Sequence, residues 1–423
     1  MIDPKIVKDN PDLLLEMLKK RKVNFPFSEL LELDRKRREL IVETQNFRHN
    51  KNTLSQSIAK KKKNQENVEG ELEEMKKVGE QMVSLENKKD VIEKRYSDLV
   101  YSIPNLLQDS VPIGDSENDN IVIRTYNDFI KSKIKNDHVN LANSLGLIDL
   151  ERAAKISGAR FYFLKNELVL MNQALTNYAL DFLVEMGYQL IQPPYMLKKD
   201  AIRGSIIMDD FEDVIYKIEN EDLYMIGTSE HAMASMHMDE ILDSKDLPLR
   251  YGSISPCFRK EAGAHGKDMK GIFRVHQFEK VEQFVVTDSS NSSTEHERML
   301  GVTERFYQNL ELPFRTVLLS SADTGKVSSK TYDIEAWMPG QEKYRELASC
   351  SNCIDFQARR LKIRHRGKVN EETQLVHTLN STLVATERTM VAILENYQTN
   401  NHSVIVPTVL RKYMNGIKEI KIK

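Results

Sequence analysis

SPCFRKEAGAHGKDMKGIFRVHQFEKVE, residues 255–282, decides how this chain is read. Its two ends have the composition of strands, and Gly263, Gly266 and Gly271 mark a loop between them, so the stretch is expected to fold as a hairpin. Side chains on a strand alternate between faces, so residues two or four apart share one surface. Arg259 and Glu261 stand at the end of the first strand, and Arg274, Phe278 and Glu282 are spaced along the second. A guanidinium, an aromatic ring and a carboxylate on one surface suit a phosphate, a purine base and an ammonium or hydroxyl group. The pattern points to a site for a nucleotide and a small polar substrate.

Around this hairpin the sequence predicts further strands near 213–218, 222–227, 250–258, 271–286, 314–319 and 332–339. A helix is expected at 168–186, closed by Gly187, and a last one at 383–398. Between them YQLIQPPY reads as a short strand, confined to an edge or an end by Pro193 and Pro194. Strands adjacent in sequence without long helices between them predict an α+β fold: a mainly antiparallel β-sheet flanked by helices. Neither a Walker-type G-x-x-x-x-G-K-[ST] nor a dinucleotide G-x-G-x-x-G is present, so any ATP binds without those loops.

The first quarter of the chain has a different period. Leu30, Leu33, Arg37, Leu40, Thr44, Phe47, Lys51, Leu54 and Ile58 recur in steps of three and four, a heptad seam with poor core residues at 37, 44 and 51. After the polar break KKKKNQENVEG a second seam runs through Val68, Leu72, Met75, Met82, Leu85, Ile92, Tyr96, Leu99 and Ile103, with one slip expected around Met82 to Leu85. Two helices of about 35 residues would make an antiparallel coiled-coil hairpin about 50 Å long over residues 28–103. Pro104 ends the second helix, which divides the chain into residues 1–104 and 105–423. Between Thr44 and Lys63 stand six basic residues (Arg48, Lys51, Lys60, Lys61, Lys62, Lys63) and no acidic one, while the returning helix begins acidic. Such a tip is either an ordinary solvated coiled coil or a basic finger for an RNA backbone.

Composition limits the rest. With 423 residues, 61 Lys plus Arg against 63 Asp plus Glu and a net charge of −2, the whole-chain balance selects no class of partner. Hydrophobic content of 40% supports a globular core, and no apolar run reaches the roughly 20 residues that cross a bilayer. The charged start MIDPKIVKDNPDLLLEML is unlike a secretory signal, and three cysteines fit a reducing compartment, so a cytoplasmic protein is expected.

The 255–282 stretch resembles the second signature motif of class II aminoacyl-tRNA synthetases in the form found in seryl-tRNA synthetases, and GAHGKD and VHQFEKVEQF are most similar to archaeal and eukaryotic-type members. The resemblance implies that Arg259, Lys260 and Glu261 bind ATP. Arg259 would grip the α-phosphate and the substrate carboxylate, and Glu261 would accept from the adenine amino group. It implies Phe278 stacked on the purine, Val275 beside it and Arg274 facing the phosphates. Glu346-Leu347-Ala348-Ser349 matches an ATP-site element in which Glu346 and Ser349 hold Mg²⁺, and Arg388, in HTLNSTLVATERTMVAILENYQ, resembles a γ-phosphate arginine. Arg259 and Arg388 would be the catalytic pair.

The same resemblance puts Thr228, Ser229, Glu230, Arg259, Glu282, Asn380 and Thr382 around L-serine, with Glu282 receiving its hydroxyl. A carboxylate left unpaired by alanine or glycine would then carry a desolvation penalty, and a site built for a hydroxyl rejects its absence strongly. His231 is read as packing or a supporting hydrogen bond. Ser381, Leu383 and Glu387 replace the small residues of bacterial members. The segment ending in GYQLIQPPY resembles the first class II motif, which implies a homodimer, and the basic arm implies a grip on tRNA(Ser), with the tRNA of selenocysteine as a second candidate. Cys350 and Cys353 invite a zinc reading, but one C-x-x-C needs two further ligands, such as Cys257 and a histidine, and no zinc is expected. Two rivals differ in class. A ligase that loads carrier proteins would lack the arm, and a non-catalytic RNA-binding relative would not keep Arg259, Glu261, Glu346 and Arg388.

Overall fold

Heptad spacing and strand alternation fall into two compact units in the computed structural model, which describes residues 1–207, 214–261 and 271–422. One unit holds residues 2–19 and 23–103. The other holds residue 1, residues 20–22 and 104–423.

In the smaller unit the hairpin forms from helices Phe27–Lys63 and Glu69–Ser102, of 37 and 34 residues. Leu30, Thr44 and Ile58 are buried on the first and Leu85, Tyr96 and Leu99 on the second, all at seam positions. Arg37 fits the seam because its guanidinium lies 5.0 Å from the Tyr96 ring centroid and pairs with Glu93 at 2.9 Å. Lys51 stays exposed, which leaves the seam open there. Val78 is buried too and fills the gap between Met75 and Met82 in steps of three and four, whereas Leu72 is 44% exposed, so the slip expected around Met82 to Leu85 is not found. Ion pairs between the helices, Arg95 to Glu29 at 2.7 Å and Arg48 to Glu86 at 3.1 Å, are exposed and screened by solvent, so the apolar seam holds the hairpin.

The larger unit is built on an eight-stranded sheet. Its strands in chain order are β1 (Ile121–Tyr126), β2 (Gln189–Ile191), β3 (Leu249–Phe258), β4 (Gln277–Thr287), β5 (Phe314–Leu318), β6 (Lys330–Met338), β7 (Lys343–Ile354) and β8 (His377–Ala385). They lie side by side as β1-β5-β6-β7-β8-β4-β3-β2, antiparallel throughout except β2 on β3. β2 is the edge strand that its two following prolines require. The ladder carries an extra residue on β7 opposite the Ile334–Glu335 step and another on β8 between Thr382 and Val384.

One face of the sheet is dry. Helices Glu167–Glu185, Ser292–Asn309 and Thr386–Asn396 lay Met171, Phe182, Met299, Phe306, Met390 and Ile393 against Val281, Val285, Ile334 and Leu383. Gly187 takes φ +81°, the left-handed cap expected after the first of these helices. The opposite face, reached by Phe278, Lys280 and Glu282 on β4, is where polar side chains collect.

Several boundaries differ from the sequence reading. The 213–218 strand reduces to an isolated bridge, Lys217 to Tyr224, and 222–227 to Tyr224–Met225. The 271–286 strand begins only at Gln277, so Arg274 and Val275 lie in the approach to it rather than on it. The last helix starts at Thr386 because β8 runs through Ala385. The helix Ser292–Asn309 and the strand β7 were not expected. Residue 213 and the loop glycines Gly263 and Gly266 lie outside the described residues.

Candidate active site

The β3–β4 ladder sets Ser253 opposite Glu282, Ser255 opposite Lys280 and Cys257 opposite Phe278, so these six side chains share the polar face. Arg259 follows the end of β3. Its Nε donates to the Gly227 carbonyl at 3.0 Å, and its guanidinium stands 5.2 Å from the Phe278 ring. Glu261 adopts φ +48° and its carboxylate takes Arg274 at 3.1 Å. That contact, not strand alternation, brings Arg274 to the site.

From the other side come β7, β8 and the helix after it. Arg388 reaches back to Glu346, donating to its carboxylate at 3.1 Å and its carbonyl at 3.2 Å. The Arg388 charge holds the Glu346 carboxyl below the usual range against the opposing effect of burial, so Glu346 is ionised. Together these elements line a cleft that is partly open to solvent. Arg259, Glu261, Arg274, Val275, Phe278, Glu346, Leu347, Thr382 and Arg388, all expected from sequence, line it, joined by Phe273, Lys280, Ala385 and Glu387. Arg388 and Arg345 each stand 5.3 Å from the Phe273 ring.

The residues expected around a small amino acid lie beneath this cleft. Glu282 is 2% exposed; its Oε2 accepts from the Thr228 and Ser229 hydroxyls, both at 2.7 Å, and from the Glu230 amide at 3.1 Å. Its Oε1 takes the Lys280 ammonium at 2.7 Å. Burial alone would raise this carboxyl, but Lys280 and the hydroxyl donors prevail and the net direction is down. The protein thus supplies four donors to Glu282, and a substrate without a hydroxyl leaves no orphaned carboxylate. Selection by orphaning, expected above, does not follow.

Thr228 also caps the short helix Ser229–Ser235, which fixes the place of all three residues of that element. Burial and then the Glu282 charge push Glu230 up to about 7, and Gln357 donates to it at 2.8 Å. Burial and the Arg259 and Lys280 charges push His231 down to about 3; with its Nδ1 facing the Gly227 amide at 3.4 Å it is a neutral hydrogen-bonding ring, not a poised base. Among the described residues, Thr228, Ser229, Glu230, Glu282, Asn380, Lys260, Ala348 and Ser349 do not border the cleft itself.

Sequence reasoning missed two charged groups. Lys280 sits between Phe278 and Glu282 on the same strand face, and the alternation that found its neighbours would have found it. Asp333, opposite Ser349 across β6 and β7, has its carboxyl raised by burial and then by the Glu346 charge, and its Oδ1 is buried without a hydrogen-bond partner. Cys257, Cys350 and Cys353 are free and buried, and burial raises all three thiols, Cys350 to about 12.

A cleft of this kind on an antiparallel sheet is the ground of a class of nucleotide-using ligases. The model of the class II tRNA synthetase core domain (G, H, P, S and T) matches residues 213–397, and that of the seryl-tRNA synthetase N-terminal domain matches residues 1–107. The serine–tRNA ligase of Nitrosopumilus maritimus is 55% identical over 99% of this chain and 100% of its own length. That of Pyrococcus horikoshii is 45% identical over 99% of this chain and 97% of its own. The crystal structure of seryl-tRNA synthetase from Pyrococcus horikoshii complexed with ATP superposes with a TM-score of 0.92, covering 100% of both chains at 45% identity. Cytoplasmic serine–tRNA ligase from Naegleria fowleri in complex with AMP gives 0.84 at 36% identity, covering 98% and 96%. The chain belongs to the seryl-tRNA synthetase family of class II aminoacyl-tRNA synthetases.

Proposed function

We propose that this chain activates L-serine with ATP to seryl-adenylate and transfers the seryl group to the 3′ end of tRNA(Ser), with the tRNA of selenocysteine as a second acceptor. The observation that carries this is a single cleft lined by Arg259, Phe278, Glu346 and Arg388 and bordered by Lys280, which pairs with the buried Glu282. The serine carboxylate attacks the α-phosphorus, pyrophosphate leaves, and the terminal ribose hydroxyl then attacks the seryl carbonyl with AMP as leaving group. Arg259 and Arg388 stabilise charge on the phosphates, and a planar guanidinium binds two oxygens at once and stays charged. Glu261 and Phe278 recognise the adenine, with Lys260, Arg274, Val275, Leu347 and Ala348 completing the nucleotide site. Thr228, Ser229, Glu230, Asn380 and Thr382 shape the pocket for serine.

The donor set fits Mg²⁺. Glu346 is ionised, Ser349 offers a hydroxyl, and the unpartnered Asp333 oxygen beside them is a further hard ligand. Bound there with ATP, the ion would neutralise phosphate charge; the arginines and Glu346 orient the phosphates around it.

Residues 1–104 serve tRNA binding, the arm 28–103 meeting the RNA backbone through Arg48, Lys51, Lys60, Lys61, Lys62 and Lys63, and residues 105–423 serve catalysis. The family and the edge position of β2 support a homodimer built around the 167–195 segment, in the cytoplasm; no helix among the described residues is long and apolar enough to cross a membrane. Offering the protein a total tRNA pool with ATP and labelled serine tests the proposal: serine-accepting tRNAs should be labelled, and labelling of none, or of an unrelated acceptor, ends it.

A further inference from the structure

Lys280 is the group that separates the cleft from Glu282. It borders the cleft and is only 5% exposed, whereas Glu282 lies behind it. An ammonium has three donors in a tetrahedral fan. One goes to Glu282 Oε1 at 2.7 Å and one to the Thr228 hydroxyl oxygen at 2.6 Å. No third protein acceptor is found for it among the described residues. On the carboxylate the inventory is equally uneven: Oε2 takes three donors and Oε1 only the lysine. A carboxylate oxygen has two lone-pair directions, so Oε1 keeps one open.

We propose that Lys280 is a specificity-determining residue of the amino-acid site, which donates its third N–H to the substrate hydroxyl oxygen while that hydroxyl donates to Glu282 Oε1. The hydroxyl is then read twice, as acceptor and as donor. Alanine satisfies neither group, and a thiol, a weak acceptor, satisfies the lysine poorly. This replaces selection by an orphaned carboxylate, which the four donors on Glu282 exclude. The lowered titration of Glu282 agrees with the arrangement, since a hydroxyl donates best to the ionised form.

The inference rests on the serine-activating reading above, and its test separates the two. Serine-dependent and alanine-dependent ATP–pyrophosphate exchange are measured for the wild type, Lys280→Met and Lys280→Gln. The Gln amide retains two donors for Glu282 and Thr228 but has no third, so it provides a well-folded comparison if the Met variant fails to fold. The serine-to-alanine ratio of kcat/KM should fall on the order of 100-fold, with the whole loss on the serine side and the KM for ATP unchanged. A folded variant in which serine and alanine decline by the same factor, or in which the ratio is unchanged, overturns the role given to Lys280 while leaving serine activation intact. A wild type without serine-dependent exchange overturns both.

Discussion

The sheet face and the helical hairpin handle charge in opposite ways. Around the cleft, Lys280 and Glu282 are withdrawn from bulk water, Arg388 is largely so, and these groups and the half-buried Glu346 are tied to partners at 2.7–3.1 Å. On the hairpin, Arg48 pairs with Glu86 across the solvent, and Lys60, Lys62 and Lys63 are exposed at the end of the first helix. A buried charge that loses its partner costs several kcal/mol, whereas an exposed one costs almost nothing. The cleft is therefore built for fixed geometry, and the arm for a diffuse field that a polyanion can meet in many registers.

The largest test of that contrast is Arg259→Ala. Serine-dependent pyrophosphate exchange should fall by about 10³-fold or more, because a donor aimed at developing phosphate charge has no substitute in the cleft. Activity near wild type would show that the cleft does not hold the α-phosphate.

A second test uses proton linkage. Burial pushes Glu387 up to about 7, against 4.5 for the unperturbed group, despite hydrogen bonds from Tyr162 and the Glu279 amide. The folded chain holds a proton that the unfolded chain releases, so this contribution is complete below about pH 4.5 and is lost as pH rises through about 7. Glu387→Gln should remove the slope, gaining on the order of 3 kcal/mol relative to wild type between pH 4.5 and pH 8 in denaturant unfolding. Parallel pH profiles for the two proteins would contradict the buried placement.

On the hairpin, changing Lys51, Lys60, Lys62 and Lys63 together to Gln should leave pyrophosphate exchange unaltered. It should weaken tRNA binding about tenfold at physiological salt and flatten its log–log salt dependence by about 3. Equal losses in exchange and in charging would erase the division of labour. The smallest effect belongs to Val91, 70% exposed on the second helix: Val91→Ser should change stability by less than about 0.5 kcal/mol in thermal unfolding.

What the sequence could convey differs between the regions for the same reason. Heptads repeat, so the hairpin was legible almost to the residue, and the expected slip disappears once the buried Val78 takes its place in the seam instead of the exposed Leu72. The antiparallel hairpin of β3 and β4 was legible through its alternation, and the spacing of its charges led to the cleft. The helix Ser292–Asn309 was missed because its inner stripe includes Glu295, His296 and Thr303, polar residues held by Arg250, the Cys350 carbonyl and Gln283. A hydrophobic-period reading cannot see a buried face that is partly polar. β7 was missed likewise: KYRELASCSNCI places serines and asparagine on a central strand, where their partners, such as Thr331 for Ser351 and Ser292 for Asn352, come from distant parts of the chain.

Two of the irregularities in the ladder, at Leu347 on β7 and Leu383 on β8, decide what a change of length near the cleft would do. Strict alternation from Ser349 would turn Glu346 toward the helices, and strict alternation from Thr382 would do the same to Ala385 and shift the start of the helix that carries Arg388. The first irregularity sets Glu346 on the polar face, and the second sets Ala385, from which the helix bearing its partner Arg388 starts. Smoothing β7 into a regular ladder would turn Glu346 to the helix-covered face, away from the cleft. Insertions confined to these two stretches are consequently the ones this chain can least absorb.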